Sequence, residues 1–146
     1  MATMDAEKNK LTVRRIYDEY INQTRSELLP ELVAADYVAS DGRRGPAVFA
    51  STVDALRTGI PDIRFEVEDV IAEGDRVAVR WTWSGKHTGT LNGLSPSNRQ
   101  VKNDGIAIYE LRQGKVSRVW LQTDRLGFLQ QIGVVDPSLG RPPAQR

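Results

Sequence analysis

Residues 101–123 read VKNDGIAIYELRQGKVSRVWLQT, and this stretch decides the fold. Two runs of alternating side chains, 101–111 and 115–123, are separated by Gln113 and Gly114, which are residues typical of a tight turn. Alternation at period two is typical of strands that bury one face. The stretch therefore predicts an antiparallel hairpin.

Two more strands precede this hairpin. Residues 63–68 alternate apolar and charged side chains, and residues 76–87 alternate valines and tryptophans with smaller or polar side chains. Between them, Val70 and Ile71 break the alternation shortly before a Glu-Gly-Asp turn, which predicts a β-bulge there. Together the four strands are predicted to form a meander.

Helical spacing of apolar residues marks the remainder of the chain. Ser26 is predicted to cap the second helix, Gly45 and Pro46 open the third, and residues 36–45 are predicted to be a polar connection. The predicted helices span residues 5–24, 27–35, 46–59 and 125–132.

Helices followed by antiparallel strands are typical of the α+β class. We expect N-terminal helices to close a curved antiparallel sheet into a cone around one small-molecule pocket. The chain has 146 residues, which suits one domain over 1–135. Residues 136–146 contain three of the seven prolines and are predicted to form a flexible tail.

Composition excludes several classes of partner. The formal charge is +1, from 20 basic and 19 acidic side chains that are interspersed along the chain, so neither a nucleic acid nor another polyanion is expected. Without cysteine and with His87 as the only histidine, metal sites and Ser-His-Asp triads are disfavoured. The sequence contains no apolar run of membrane length and its polar start is unlike a secretory signal, so a cytoplasmic protein is expected.

The end of the last strand carries the first candidate site residue. Strict alternation from residue 115 would place a tryptophan, an amide and a carboxylate on one wall: Trp120, Gln122 and Asp124. In an apolar cavity the pKa of Asp124 would rise, and the group could then act as a general acid or base. Alternatively, Asp124 caps the helix that starts at Arg125.

His87 ends the second predicted strand and could exchange a proton with a ligand near neutral pH, or instead pin the glycine-rich loop by hydrogen bonds. Tyr17, Trp83 and Trp120 could line the pocket with aromatic surface, or be plain core. Strand parity separates Asp104 from its neighbour Asn103, so only one of them can face the cavity.

Several segments together resemble the SnoaL-like polyketide cyclase family, within the superfamily of folds that resemble nuclear transport factor two. The resemblance covers residues 12–133. The segments that carry it are Ile60-Pro61-Asp62, Val70-Ile71-Ala72-Glu73-Gly74-Asp75-Arg76-Val77, Gly85-Lys86-His87-Thr88-Gly89, Gly114-Lys115-Val116 and Trp120 through Asp124 to Leu129-Gln130-Gln131-Ile132-Gly133.

This resemblance implies that Asp124 is the acid/base of an intramolecular aldol ring closure that uses no metal, flavin or nicotinamide. Gly105 and Ala107 stand where the founding cyclases carry a glutamine and a histidine, and they would leave room for a ligand. Residues 80–82 read Arg-Trp-Thr and so lack the Arg-x-Asp element of the sister epoxide hydrolases. The superfamily's common pairing implies a homodimer through the outer sheet face, around Ile106 and Ile108.

The sequence thus predicts a cofactor-independent enzyme of secondary metabolism that closes or isomerises a ring in a polyketide-like carbonyl compound. Asp124 and His87 are its candidate catalytic residues, and the substrate is expected to be small, hydrophobic and aromatic or polyketide. Two alternatives remain open: a cofactorless hydroxylation-type tailoring enzyme of the same family, and a binding protein without catalysis.

Overall fold

The computed structural model describes residues 4–140 and residue 142. The helices are α1 (Met4–Arg15), which continues into a π-helical segment (Ile16–Ile21), a 3₁₀ turn (Ser26–Leu28), α2 (Leu29–Leu32), α3 (Pro46–Gly59) and α4 (Arg125–Gln131). The strands are β1 (Val33–Val38), β2 (Arg64–Glu73), β3 (Arg76–Lys86), β4 (Gln100–Arg112) and β5 (Lys115–Thr123).

The strands form one curved sheet in the order β1-β5-β4-β3-β2. Strands β2 to β5 are an antiparallel meander, and β4 and β5 end within one residue of their predicted bounds. One face of the sheet is covered, because every second side chain of β3 and β4 is buried and those between them are mostly exposed. Helix α1 contacts β2, β3 and β5. The predicted α+β class is confirmed.

The sheet has one strand more than predicted. Residues 33–38, assigned from the sequence to the end of a helix and to a polar connection, form β1, which pairs parallel to β5 and makes the sheet mixed. Val33 and Tyr37 are buried there. Valine and tyrosine favour extended backbone, and the free edge of β5 supplies the hydrogen-bond partners, so pairing overrides the short helical pattern.

The cap predicted at Ser26 is also wrong. Arg25 occupies that position without a side-chain hydrogen bond, and Ser26 already belongs to the 3₁₀ turn. The α-helix that follows is only four residues long, with Pro30 in its first turn. So short a helix is held by the packing of its buried leucine, Leu32, because helices below about twelve residues are marginal on their own.

Two β-bulges set which side chains face inward. The bulge predicted at Val70 and Ile71 lies earlier in β2, where the register with β3 shifts between Val67 and Asp69. A second bulge, which the sequence did not reveal, leaves Ser117 unpaired in β5. One extra residue reverses the parity of every side chain after it. All of β5 beyond Ser117 therefore faces opposite to the prediction.

Side-chain amides join the helical segments to the free ends of strands. Asn22, just after the π-helical segment, donates to the carbonyl of Phe65 and accepts from its N–H, both at 2.8 Å. Gln131 of α4 makes the same pair of bonds with the backbone of Lys102, at 2.7 and 2.9 Å. Each amide bonds to the free N–H and the free carbonyl of one strand residue, as a neighbouring strand would.

No helix among the described residues is long and apolar enough to cross a bilayer. The predicted domain boundary at 135 and the flexible tail stay predictions. Part of that tail, residues 141 and 143–146, lies outside the described residues. Within the described part, the Gln130 side chain donates to the carbonyls of Asp136 and Leu139 at 3.0 and 2.8 Å.

We expect Asn22→Ala to lower the melting temperature by roughly 3–10 °C, because it leaves a backbone donor and acceptor of the buried Phe65 unpaired, at about 1–3 kcal/mol. Gln23→Ala, at the exposed neighbour, should change it by less than about 2 °C. Thermal unfolding followed by circular dichroism checks this, and equal shifts for both variants would refute the tethering role of Asn22.

Candidate active site

The concave face of the sheet is lined by aromatic side chains. Trp81 packs edge-on against Phe65, with ring centroids 5.1 Å apart, and Tyr17 of the π-helical segment lies 5.3 Å from the same phenylalanine. Further along the wall, Trp83 packs against Phe128 of α4 at 6.1 Å. Such edge-on and tilted rings give a wall suited to flat apolar molecules. All five rings are buried.

A pair of tyrosine hydroxyls lies within this wall. The hydroxyl oxygens of Tyr17 and Tyr109 are 2.6 Å apart. Burial raises the pKa of Tyr17 well above its usual range, with the neighbouring Tyr109 adding to the rise, and burial raises the pKa of Tyr109 to about 12. Both phenols therefore stay protonated at neutral pH and remain hydrogen-bond donors.

The space expected beside Gly105 is occupied. A Cβ at Gly105 would lie 2.6 Å from two carbons of the Trp81 indole, so the absence of a side chain there accommodates the tryptophan. The expectation that Gly105 leaves room for a ligand is therefore wrong. Ala107 is buried two residues further along the same face.

His87 is fully buried just beyond β3, with 0% of its surface exposed. Its Nδ1 accepts a hydrogen bond from the backbone N–H of Ser97 at 3.2 Å and lies 3.0 Å from the Ser97 hydroxyl. A backbone N–H can only donate, so Nδ1 carries no proton and the neutral ring is protonated at Nε2. The histidine pins the loop, and its free nitrogen is a donor.

Three buried polar atoms of the described side chains have no hydrogen-bond partner: Trp81 Nε1, His87 Nε2 and Asn103 Oδ1. The indole N–H is near enough to the Tyr17 oxygen to lower the pKa of Tyr17 slightly, without reaching hydrogen-bond geometry. Each such group costs about 1–3 kcal/mol if nothing binds it. Trp81 and Asn103 lie on the sheet face that the helices cover, and His87 follows directly after β3.

Asp124 lies where β5 meets α4, and its side chain is exposed. Its Oδ1 accepts the backbone N–H of Gly127 at 2.8 Å, which caps α4. A Cβ at Gly127 would lie 2.1 Å from Asp124 Oδ2, so the absence of a side chain at Gly127 leaves space for the carboxylate. The expectation of a sheltered carboxyl is wrong, and the capping alternative describes the geometry.

Trp120 and Gln122 lie on the outer face of the sheet instead of in the pocket. Trp120 pairs across the sheet with the exposed Ile108 and is itself 37% exposed, and the guanidinium carbons of Arg76 and Arg118 lie 5.0 and 4.7 Å from its ring centroid. The bulge at Ser117 is the cause, because it reverses the predicted parity. The predicted common wall of these two residues with Asp124 is therefore wrong.

Sequence reasoning left one residue of the concave face open and missed two others, Phe128 and Ser97. Asn103 faces inward and is buried, while Asp104 faces out, which settles the alternative that parity left open. Phe128 and Ser97 contact His87 from α4 and from the loop. Their contacts join parts of the chain that pattern analysis treats separately. The burial of an asparagine has no sequence signal beyond strand parity.

Two clefts open elsewhere on the surface, and neither contains a predicted site residue. One, of about 260 Å³, is bordered by Arg57 and Arg64, and the other, of about 580 Å³, by Asp5 and Asp75. Among the described residues no group of three or more histidine, aspartate or glutamate side chains could hold a metal ion. The candidate site remains the concave face and its rim at Asp124.

The contact between Asp124 and Gly127 can be tested by a double-mutant cycle. Gly127→Ala should lower the melting temperature by roughly 3–5 °C, because the new methyl group displaces the cap. In an Asp124→Ala background the same change should be neutral or stabilising, since alanine favours helix and nothing is displaced. Equal effects in the two backgrounds, measured by thermal unfolding, would contradict the contact.

The model of the SnoaL-like polyketide cyclase family matches residues 11–132. The chain is 29% identical over 122 residues to the aklanonic acid methyl ester cyclase DnrD of Streptomyces peucetius, covering 81% of this chain and 74% of that protein. It is 25% identical over 126 residues to the aklanonic acid methyl ester cyclase AcmA of Streptomyces galilaeus, covering 83% and 88%.

Comparison of structures gives the same fold. TsrD from Streptomyces laurentii superposes with a TM-score of 0.84 at 21% identity, over 91% of this chain and 100% of that one. At that identity the likeness concerns the fold alone, whereas the family match spans most of the present sequence. The chain therefore belongs to the SnoaL-like polyketide cyclase family of enzymes.

Proposed function

We propose that this enzyme closes or isomerises a ring in a polyketide-like carbonyl compound of antibiotic or other secondary metabolism, with Asp124 as its general acid and base. The observation that carries the proposal is the family match over residues 11–132, which includes the strand–helix junction at Asp124. Two ester cyclases among its relatives support a small, hydrophobic polyketide substrate. Location in the cytoplasm stays part of the proposal.

The rim of the concave face suits this role despite the exposure of the carboxylate. Leu121 and Leu126, three residues before and two after Asp124, are 39% and 40% exposed. Apolar side chains that flank an exposed carboxylate offer surface to a flat ligand, and a ligand seated there would exclude water from the carboxylate. The group would then become sheltered only in the complex.

Ring closure of this kind balances within one molecule. The Asp124 carboxylate takes a proton from a carbon next to a carbonyl, and the resulting enolate carbon attacks a second carbonyl carbon. The new C–C bond leaves an alkoxide, which takes the proton back from Asp124. A hydrogen-bond donor that faces the enolate oxygen lowers the barrier. His87 Nε2, unpartnered and protonated, is the donor that we assign to this task.

The aromatic wall would hold the substrate during these steps. Tyr17 and Trp83 are buried on the concave face and keep the substrate-contact role predicted from the sequence. Trp120 and Gln122 lie on the outer face of the sheet, so a substrate bound on the concave face could not contact them. We therefore propose Tyr17 and Trp83 as contacts of the substrate and assign Trp120 to the outer surface.

Asp124→Asn tests the proposal without disturbing the fold, because asparagine caps helices as well as aspartate does. With aklanonic acid methyl ester as substrate, we expect turnover, measured by chromatography of the product, to fall at least 100-fold. Asp104→Asn, a nearby exposed carboxylate on the outer face, should leave turnover within twofold.

Two results would count against this mechanism. Turnover by Asp124→Asn within twofold of the unmodified enzyme would show that another group is the base. Tight binding of the ester by an unmodified protein that never converts it would favour the binding-protein alternative.

We further propose that the enzyme is a homodimer that pairs through the outer sheet face. An apolar row crosses that face through the exposed Ile71, Ile108 and Trp120 and the half-buried Ala78. Two ion pairs flank this row: Asp69 pairs with Arg80 at 2.7 Å, and Arg76 pairs with Glu110 at 3.7 Å. A patch that is apolar at its centre and carries both charges at its rim can pair with a copy of itself.

Ile108→Glu should convert the dimer to a monomer, because it places a charge at the centre of the apolar row. Leu11→Glu, at an exposed leucine of α1, should leave the dimer intact. Light scattering after gel filtration measures both. A mass of 16.3 kDa for the unmodified chain at micromolar concentration would refute the dimer.

A further inference from the structure

The chain folds back along α4 after that helix ends. The backbone N–H groups of residues 134 and 135 both donate to the carbonyl of Leu129, at 3.0 and 3.3 Å, and so reverse the direction of the chain. Asp136 then stabilises a turn, because its carboxylate accepts the backbone N–H and the hydroxyl of Ser138 at 2.8 and 2.7 Å. We call residues 134–140 the return segment.

One side chain of α4 holds the return segment in place. The Gln130 amide donates to the carbonyls of Asp136 and Leu139, which lie at the two ends of the turn, at 3.0 and 2.8 Å. Only 6% of Gln130 is exposed, so water competes little for these bonds. The amide of Gln130 therefore fixes the return segment on α4.

The segment held in this way reaches Leu126 at the rim of the concave face. A Cβ at Gly140 would lie 2.9 Å from Leu126 Cδ2, so the backbone of the glycine packs directly on the leucine side chain. Leu126 precedes Gln130 by four residues and so shares one face of the helix with it. The polar and the apolar contact of the return segment thus lie along one side of α4.

The leucine that the return segment contacts also borders an opening of the concave face. Leu126 is 40% exposed despite the contact, and it follows Asp124 by two residues. Leu121 pairs across the sheet with the buried Ala107 and so faces the concave side, yet it is 39% exposed. The helices therefore leave part of this face uncovered beside Asp124. An apolar side chain at such an opening binds a ligand more tightly when its position is fixed beforehand.

We infer that Gln130 is a positioning residue for substrate binding. By holding the return segment against Leu126, it fixes one apolar wall of the opening beside Asp124, and the substrate meets a preformed surface there. This inference rests on the proposed function in that the substrate is seated at this rim, but it does not require Asp124 to be the base. The contact acts on affinity and leaves the proton transfers unchanged.

Gly140→Ala tests the contact with Leu126, and Gly42→Ala is its matched control. Both glycines are exposed and have a positive φ, +74° and +87°, so alanine brings the same kind of backbone strain to each. A Cβ at Gly42 meets nothing within 4 Å, whereas a Cβ at Gly140 displaces Leu126. With aklanonic acid methyl ester as substrate, Gly140→Ala should raise KM about three- to tenfold and leave kcat within twofold. Gly42→Ala should leave both constants within twofold.

Two further variants keep the test decisive. Gln130→Met removes the amide donors at similar size and should raise KM in the same range, even if Gly140→Ala fails to fold. In a Leu126→Ala background, Gly140→Ala should change KM less than twofold, because no leucine is left to displace. The Kd of the ester, measured by quenching of tryptophan fluorescence, should change in parallel with KM, and it decides the test for a protein that binds the ester without converting it.

A KM of Gly140→Ala within twofold of that of the unmodified enzyme would overturn the inference. An equal rise for Gly42→Ala, a fall in kcat alone, or an unmodified protein that does not bind the ester would overturn it as well. Failure of the proposed mechanism is seen separately, since Asp124→Asn would then keep its turnover while Gly140→Ala still weakened binding of the ester.

Discussion

The packing of the Trp81 indole on Gly105 is the contact on which the concave face depends. Because the glycine offers no side chain, the tryptophan lies flat enough over β4 to meet Phe65 and to approach Tyr17. Tyr17 in turn bonds to Tyr109 across 2.6 Å and so fixes the π-helical segment on the sheet. A larger residue at 105 would push the indole, and the helix with it, off the strands.

The other end of the concave face is held by polar contacts that all converge on α4. Asp124 caps its first turn, Gln131 binds the backbone of β4, and Arg99 donates to the carbonyl of Gln131 at 3.0 Å. These bonds satisfy one free N–H at the start and one free carbonyl at the end of a seven-residue helix that could not persist alone, and they tie its last residue to β4. The helix brings Phe128 against Trp83 and His87, so the same bonds that stabilise it also complete the candidate site.

Capping and catalysis make different demands on Asp124. The cap uses one carboxylate oxygen and holds the side chain at the rim, and a base needs an oxygen free to meet the substrate. Oδ1 accepts the Gly127 N–H, and Oδ2 accepts no hydrogen bond from the described residues. A carboxylate can therefore stabilise the helix through one oxygen while the other remains available, and this division reconciles the observed geometry with the proposed chemistry.

The sequence by itself determined the strands of the meander, α3 and the placement of Asn103 opposite Asp104, since these follow from local alternation and local helix signals. Only the tertiary structure decided that residues 33–38 pair with β5, that Ser117 bulges, and hence that Trp120 and Gln122 face outward. A bulge depends on how two strands fit each other, and a parallel pairing joins segments about eighty residues apart. The parallel pairing leaves no mark in the spacing of side chains along one strand, and parity was counted through the Ser117 bulge as if the strand were regular. For that reason the face that Asp124, Trp120 and Gln122 would present could not be obtained from parity alone.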